Sequence, residues 1–262
     1  MQKHIVLDYG FDTPWRQRIE NIRRAGFDGV MLLFESRPDF YDAAEGVCKS
    51  GLNVESLHLP FRAVANKIWR GEKTAEQALS VLRRGIRYAS QMKIPYATLH
   101  LSSTFLPPPK NEIGLMRLAL LTDYAERLGV TLCIENLKRT DYFRFGVDHL
   151  GERVKICFDA GHAQIYSKRM HSFPFERYAA RIVCCHLHDN NRLLDQHRLL
   201  FDGTIDANFL AHALSQCPSL RTLTLESFCK NPKRHDESTY LSRGYSALVR
   251  LESLIGESTH ES

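Results

Sequence analysis

Thr131-Leu-Cys-Ile-Glu135, Lys155-Ile-Cys-Phe-Asp159 and Val183-Cys-Cys-His186 are three short apolar runs, each closed by a residue able to bind a metal. Three further runs obey the same rule: Val54-Glu-Ser-Leu-His58, Ala97-Thr-Leu-His100 and Thr222-Leu-Thr-Leu-Glu226. Their length and branching predict buried strands. One polar residue at a strand end means little. Six at corresponding ends of successive strands predict a ring of ligands at one mouth of a barrel, the face where a (β/α)8 barrel keeps its chemistry.

Side chains alternate faces along a strand, so residues two apart point the same way. Two positions before the six ligands stand Ser56, Thr98, Cys133, Cys157, Cys184 and Thr224, all small. Immediately before them stand Leu57, Leu99, Ile134, Phe158, Cys185 and Leu225, all apolar. The ligand face is therefore expected to line the interior, with depth beneath it for an ion or a substrate, while the other face packs on helices. Unrelated strands with polar ends would not repeat this size pattern.

Around these runs strands and helices alternate. Strands are predicted at 5–9, 29–34, 54–58, 96–101, 131–135, 154–159, 182–186 and 222–226. Helices are predicted at 14–25, 37–49, 73–92, 112–128, 173–180, 206–216 and 241–254. Thr13 is the expected N-cap of the first, with proline at its first position, and Gly129 closes the helix at 112–128. The link from the fifth strand to the sixth has room for only a short helix. The expected fold is α/β, a single (β/α)8 TIM barrel over 1–262, with 256–262 as a frayed tail. A doubly wound sheet would need a glycine-rich phosphate turn after the first strand. Asp8-Tyr-Gly-Phe-Asp-Thr-Pro is not one.

The 262 residues suit one such barrel. No apolar stretch approaches the length of a membrane helix, and the start lacks the pattern of a signal peptide. The expected location is cytoplasmic. Seven cysteines, without CxxC spacing and concentrated in predicted strands, fit buried free thiols in a reducing compartment. None ends a strand beside a base, which argues against a catalytic thiol. The net charge of +5 is carried largely by predicted helices, at Arg16, Arg18, Arg23, Arg24, Arg83, Arg84 and Arg87, and reads as a solvated outer face.

Glu135, Asp159, His186 and Glu226 are the expected metal ligands. Carboxylates with an imidazole suit a borderline to hard divalent ion, Zn, Mn, Co or Mg. Turned inward without a cation they would be desolvated at large cost, and Lys155 is the one basic candidate in the strand interiors to pair with them. A second tier comprises His58, His100, His162, His188, Asp195, His197 and Arg192. These can hold further ions or bind substrate oxygens.

His58-Leu-Pro-Phe, Leu99-His-Leu-Ser, Ile134-Glu-Asn, Phe158-Asp-Ala-Gly-His162, His186-Leu-His-Asp189, Asp195-Gln-His197…Phe201-Asp-Gly-Thr-Ile-Asp206 and Leu225-Glu-Ser together resemble the xylose-isomerase-like barrel superfamily. It contains sugar and sugar-phosphate isomerases and epimerases, and apurinic-site endonucleases of the same fold. The resemblance runs from the third strand to the eighth. It implies one metal on Glu135, Asp159, His186 and Glu226, with Glu135 and Glu226 as catalytic base and acid on opposite faces of a sugar carbon. It also implies substrate contacts from His162 and Arg192. In the endonuclease branch, His58, His100, Glu135, Asp159, His162, His186, Asp195, His197 and Glu226 would match a three-zinc cluster. Against that branch, the first strand and its loop do not look like its N-terminus, and no aromatic and basic loop suits prising open a duplex.

The expected activity is a divalent-metal-dependent sugar or sugar-phosphate isomerase or epimerase. One ion is expected, with ligands enough for up to three. The partner is a small sugar or sugar phosphate, with nucleic acid only under the endonuclease alternative, no membrane, and a homo-oligomer left open.

Overall fold

The computed structural model describes residues 1–62, 64–167 and 169–260. In chain order the strands and helices are β1 (Gln2–Val6), α1 (Trp15–Arg24), β2 (Gly29–Leu33), α2 (Phe40–Ser50), β3 (Asn53–His58), α3 (Glu72–Gln91), β4 (Tyr96–Leu99), α4 (Glu112–Arg127), β5 (Thr131–Glu135), α5 (Thr140–Leu150), β6 (Lys155–Asp159), α6 (Ala160–Tyr166), α7 (Phe175–Tyr178), β7 (Ile182–Leu187), α8 (Ala207–Ser215), β8 (Thr222–Leu225) and α9 (Glu237–His260). The strands are parallel and close in sequence order, β1 pairing with β8. This is a (β/α)8 barrel. Among the described residues, no helix is long and apolar enough to cross a membrane.

The two strand faces divide as their residue types dictate. Leu57, Leu99, Ile134, Phe158, Cys185 and Leu225 lie in the main core between barrel and helices. The opposite face turns inward, where Cys133, Cys157 and Cys184 form a separate buried cluster with Val183. α3 buries Ala78, Leu79, Leu82, Ile86 and Ala89, which recur at helical spacing and form one face.

Neighbouring strands are staggered, as a barrel requires. Glu135 pairs with Cys157, Cys157 with Cys184, and Asp159 with His186. Cys157 therefore lies two residues below Asp159 on its own strand but level with Glu135 on the next. The register also slips between β2 and β3, and between β6 and β7 opposite Val183.

Several elements differ from the sequence expectation. The β5–β6 link holds α5, an eleven-residue helix. It packs closely because Gly146 leaves room for Leu101, whose Cδ1 would lie 2.2 Å from a Cβ there. α6 begins directly on Asp159, ahead of the helix expected at 173–180, because the Asp159 carboxylate accepts a hydrogen bond from the His162 amide (2.6 Å) and caps it. Pro14, not Thr13, occupies the N-cap of α1; Thr13 Oγ1 instead donates to Glu237 (2.9 Å). α9 is longer than 241–254 at both ends, so residues 256–260 of the expected frayed tail are helical; Glu261 and Ser262 lie outside the described residues. Arg18 is no solvated arginine: it is buried, ion-paired with Asp8 (2.7 Å), and donates to the Phe11 and Thr13 carbonyls.

Candidate metal centre

The ends of β5, β6 and β7 deliver Glu135, Asp159 and His186, and Glu226 follows directly on β8. All four are buried, and one donor atom from each lies within 4.8 Å of the others. Glu135 is the hub. Its Oε2 stands 3.2 Å from His58 Nε2, 3.1 Å from His100 Nε2 and 3.1 Å from His186 Nδ1, and its Oε1 lies 3.1 Å from His162 Nδ1. His186 Nδ1 is also 3.2 Å from Glu226 Oε2. Yet neither Glu135 oxygen, Asp159 Oδ2, Glu226 Oε2 nor either His186 nitrogen has a hydrogen-bond partner of sound geometry. Buried donors and acceptors are almost always paired. A cluster of partnerless atoms converging on one point has the chemistry of a ligand set, and it fits a divalent cation bound by carboxylate and imidazole.

Electrostatics agree. Burial alone would raise the Glu135 pKa, but the charges of His100 and His186 hold it well below the usual carboxylate range. Burial would likewise raise Glu226, and His186 brings it down to about 2. His186 is pushed the other way: burial disfavours its charge, but Glu135 and Glu226 raise it well above an ordinary histidine. Protons on imidazoles are the countercharge that a bound cation would replace.

Two further donor groups flank this one. His58 and His100 meet at Glu135, and His162, His188, Asp195 and His197 converge within 4.8 Å of one another. Backbone carbonyls orient three of these rings: His58 Nδ1 faces Leu59 O (2.8 Å), His162 Nδ1 faces Asn136 O (3.1 Å), and His197 Nδ1 faces Glu226 O (2.8 Å). A carbonyl only accepts, so each Nδ1 must carry a hydrogen, leaving Nε2 bare in the neutral ring. Fixing the tautomer from behind is how metal-binding histidines are set. His188, fully buried, places Nε2 3.1 Å from Asp159 Oδ1 and stacks on His197 at 3.8 Å. Its ring occupies space that Gly161 vacates: a Cβ there would sit 2.0 Å from His188 Cε1.

Every carboxylate and histidine expected at the site is thus in this constellation. Arg192 is not: its side chain is exposed at a loop tip, with no hydrogen bond or ion pair among the described residues. Lys155 is only half-buried and pairs with Glu152 (2.9 Å), so it does not neutralise the cluster. Three contributors escaped the sequence reading. Asn136 donates to the Asp159 carbonyl (2.8 Å) and accepts from its amide (2.9 Å), clamping β5 to β6. Asp189, fully buried, accepts amides from Asn190, Phe201, Thr204 and Ile205, and so folds back the loop that carries Asp195 and His197. Both asparagine and aspartate stand in the sequence beside expected site residues, in Glu135-Asn and His188-Asp. The third is Cys157, which the stagger brings within 4.8 Å of Glu135 and His186 although it ends no strand.

Residues 19–245 match the family model described as xylose isomerase-like TIM barrel, and the chain belongs to that family. The protein y4fM of Sinorhizobium fredii is 22% identical, covering 94% of this chain and 91% of its own. Among solved structures, an L-ribulose 3-epimerase superposes with a TM-score of 0.78 at 16% identity, over 99% of this chain and 96% of that one. The TTHB071 protein of Thermus thermophilus, soaked with zinc chloride, superposes with a TM-score of 0.72 at 18% identity, over 98% and 99%. At these identities the structural likenesses speak for the fold.

Proposed function

We propose that this protein is a divalent-metal-dependent isomerase or epimerase of a sugar or sugar phosphate, with Glu135 and Glu226 as its proton-transferring groups. The observation that carries the reading is the convergence of Glu135, Asp159, His186 and Glu226 with their donor atoms partnerless. The names of two structural neighbours, an L-ribulose 3-epimerase and a D-psicose 3-epimerase, lend support as to substrate class.

A bound cation supplies a charge that polarises a carbonyl oxygen and makes the adjoining C–H acidic. The rest falls to the chain. Glu135 and Glu226 are both held ionised, so either can accept the carbon-bound proton. They come from β5 and from the end of β8, strands that are not neighbours in the barrel, and so can address a carbon between them from different sides. Return from the opposite side to the same carbon inverts it; return to the neighbouring carbon exchanges aldose and ketose. Asn136 keeps Asp159 aligned during either course. Manganese, cobalt, zinc and magnesium all suit the donor set.

The test is metal analysis of the purified protein, followed by deuterium wash-in from heavy water across a panel of ketoses and their phosphates. Incorporation beside the carbonyl supports the reading. A metal-loaded protein that exchanges nothing over the whole panel sinks it.

One observation favours a second reading, a phosphodiesterase resembling apurinic-site endonucleases: the flanking groups His58/His100/Glu135 and His162/His188/Asp195/His197 offer seats for additional zinc ions. Three zincs per chain together with nicking of abasic DNA would place that reading first.

A further inference from the structure

Beneath the rim lies a donor set of different chemistry. Cys133, Cys157 and Cys184 line the barrel interior as one cluster, all essentially inaccessible to solvent. The apolar side chains packed on them are Val183 and the half-buried Tyr96. The stagger sets Cys157 level with Glu135 on one side and Cys184 on the other, one inward position below His186 on that second strand. As a result the Cys157 sulfur, a Glu135 oxygen and a His186 nitrogen all lie within 4.8 Å of one another. Both His186 nitrogens lack a hydrogen-bond partner, and Nδ1 is the one facing Glu135 and Glu226. The rim contacts therefore leave Nε2 unaccounted for in a fully buried ring.

We infer that Cys157, Glu135 and His186 form a thiolate seat for a soft divalent cation. The inference rests on the reading above, that a divalent cation occupies this cluster. As the sulfur–metal bond forms, the Cys157 S–H proton is released, one per ion seated. Thiolate favours zinc, cadmium and cobalt, whereas manganese and magnesium prefer oxygen donors. The two sets share Glu135 and His186. The nature of the ion then selects its partners: Asp159 and Glu226 for a hard ion, Cys157 for a soft one. If Cys157 is only a small filler of the interior, its sulfur never touches metal.

The experiment uses the full chain, stripped of metal, reduced and kept anaerobic, titrated separately with cobalt, cadmium and manganese. The expected result is a sulfur-to-metal charge-transfer band with cobalt and with cadmium. Cys157→Ser should abolish both bands and weaken cadmium binding by about tenfold or more, the scale on which neighbouring groups tune a metal site, while manganese binding is unchanged. Cys184→Ala should keep the bands. Cobalt bound in stoichiometric amount by the unaltered protein without such a band overturns the thiolate seat and leaves the metal reading standing; that spectrum needs no variant to fold. A band that survives Cys157→Ser, or that is lost with Cys184 instead, also overturns it. Failure of any ion to bind removes both.

Discussion

The two ends of the barrel treat charge in opposite ways. At the end where the strands begin, charges find partners: Lys3 Nζ pairs with Glu252 (2.7 Å), the Lys3 amide donates to Asp28 (2.8 Å), and Lys155 pairs with Glu152 (2.9 Å). At the end where the strands finish, carboxylates and imidazoles are buried against one another with their lone pairs unspent. The first arrangement holds a fold together. The second leaves buried lone pairs unspent, an arrangement held by the packed barrel beneath it, as is common at functional sites. Glu55, a carboxyl in the lower interior, is an exception to the contrast. It meets Thr222 across the barrel, and its Oε2 has no partner.

The contrast breaks most visibly through Glu135. Glu135→Gln keeps the volume but removes both a ligand charge and a proton acceptor. Solvent exchange into substrate should fall by about 10³-fold, with metal content reduced. An exchange rate within a few-fold of the unaltered protein would mean that the hub of the cluster is not its base.

Next in size is the exception itself. Burial, then the charge of Cys184, raises the Glu55 pKa to about 8 from an ordinary 4.5. A raised carboxyl binds its proton more tightly folded than unfolded, so it costs nothing below pH 4.5 and progressively more as pH climbs to 8. Glu55→Gln should therefore stabilise the protein at pH 8 by on the order of 3 kcal/mol, with the gain fading by pH 4. Denaturant melts at the two pH values decide it; equal effects at both would mean that folding leaves the titration of the Glu55 carboxyl unchanged.

Much of this division was legible in the sequence, and the reason is geometric. Strand alternation is a local property, so the six runs carry the barrel, the inward carboxylates and imidazoles and the small residues below them. Lateral stagger is not local, and without it Cys157 reads as filler beneath Asp159 rather than as a neighbour of Glu135. The β2–β3 slip hides Glu55 in the same way, since it steps out of the alternation that predicted Ser56 and His58. α6 is not visible in the sequence because its start depends on the Asp159 cap, a role that would compete with metal binding by the same carboxylate. Asp189 was unreadable because the amides it gathers lie as far away as Ile205.

Metal itself should sharpen the comparison. His162, His186 and His197 are all raised: burial works against their charge, and the neighbouring carboxylates outweigh it. In the metal-free protein their stabilisation is complete below about pH 6.5 and is lost as pH rises through their higher folded values. Glu135, Glu226 and Asp195 are lowered, so their contribution is present above about pH 4 to 4.5 and is lost as pH falls through their folded values. The metal-free Tm should thus decline from pH 6.5 toward pH 9. A cation replaces the departing protons, binds more tightly as pH rises, and at a hundred times its Kd adds about 2.7 kcal/mol. Parallel melting curves with and without metal between pH 6 and 9 would contradict this account; divergence toward high pH is expected.

The smallest effect concerns how the rim is held in shape. Gly161 sits in α6, where a methyl group would come within 2.0 Å of His188 Cε1 and 2.3 Å of its Nδ1. The ring cannot retreat easily, being fully buried and stacked on His197 at 3.8 Å. In an ordinary helix Gly→Ala stabilises by about 1 kcal/mol. Here overpacking, typically about 1–3 kcal/mol, should outweigh that gain and leave Gly161→Ala less stable by about 1 kcal/mol. Because His188 contacts Asp159, the displaced ring should also loosen ions held by the His162/His188/Asp195/His197 group more than those held by Glu135 and Glu226. Metal stoichiometry measured on Gly161→Ala separates the two: loss of a second ion with the first retained would show that this glycine exists to make room for a ligand, whereas a more stable variant with unchanged metal content would make His188 a passive neighbour.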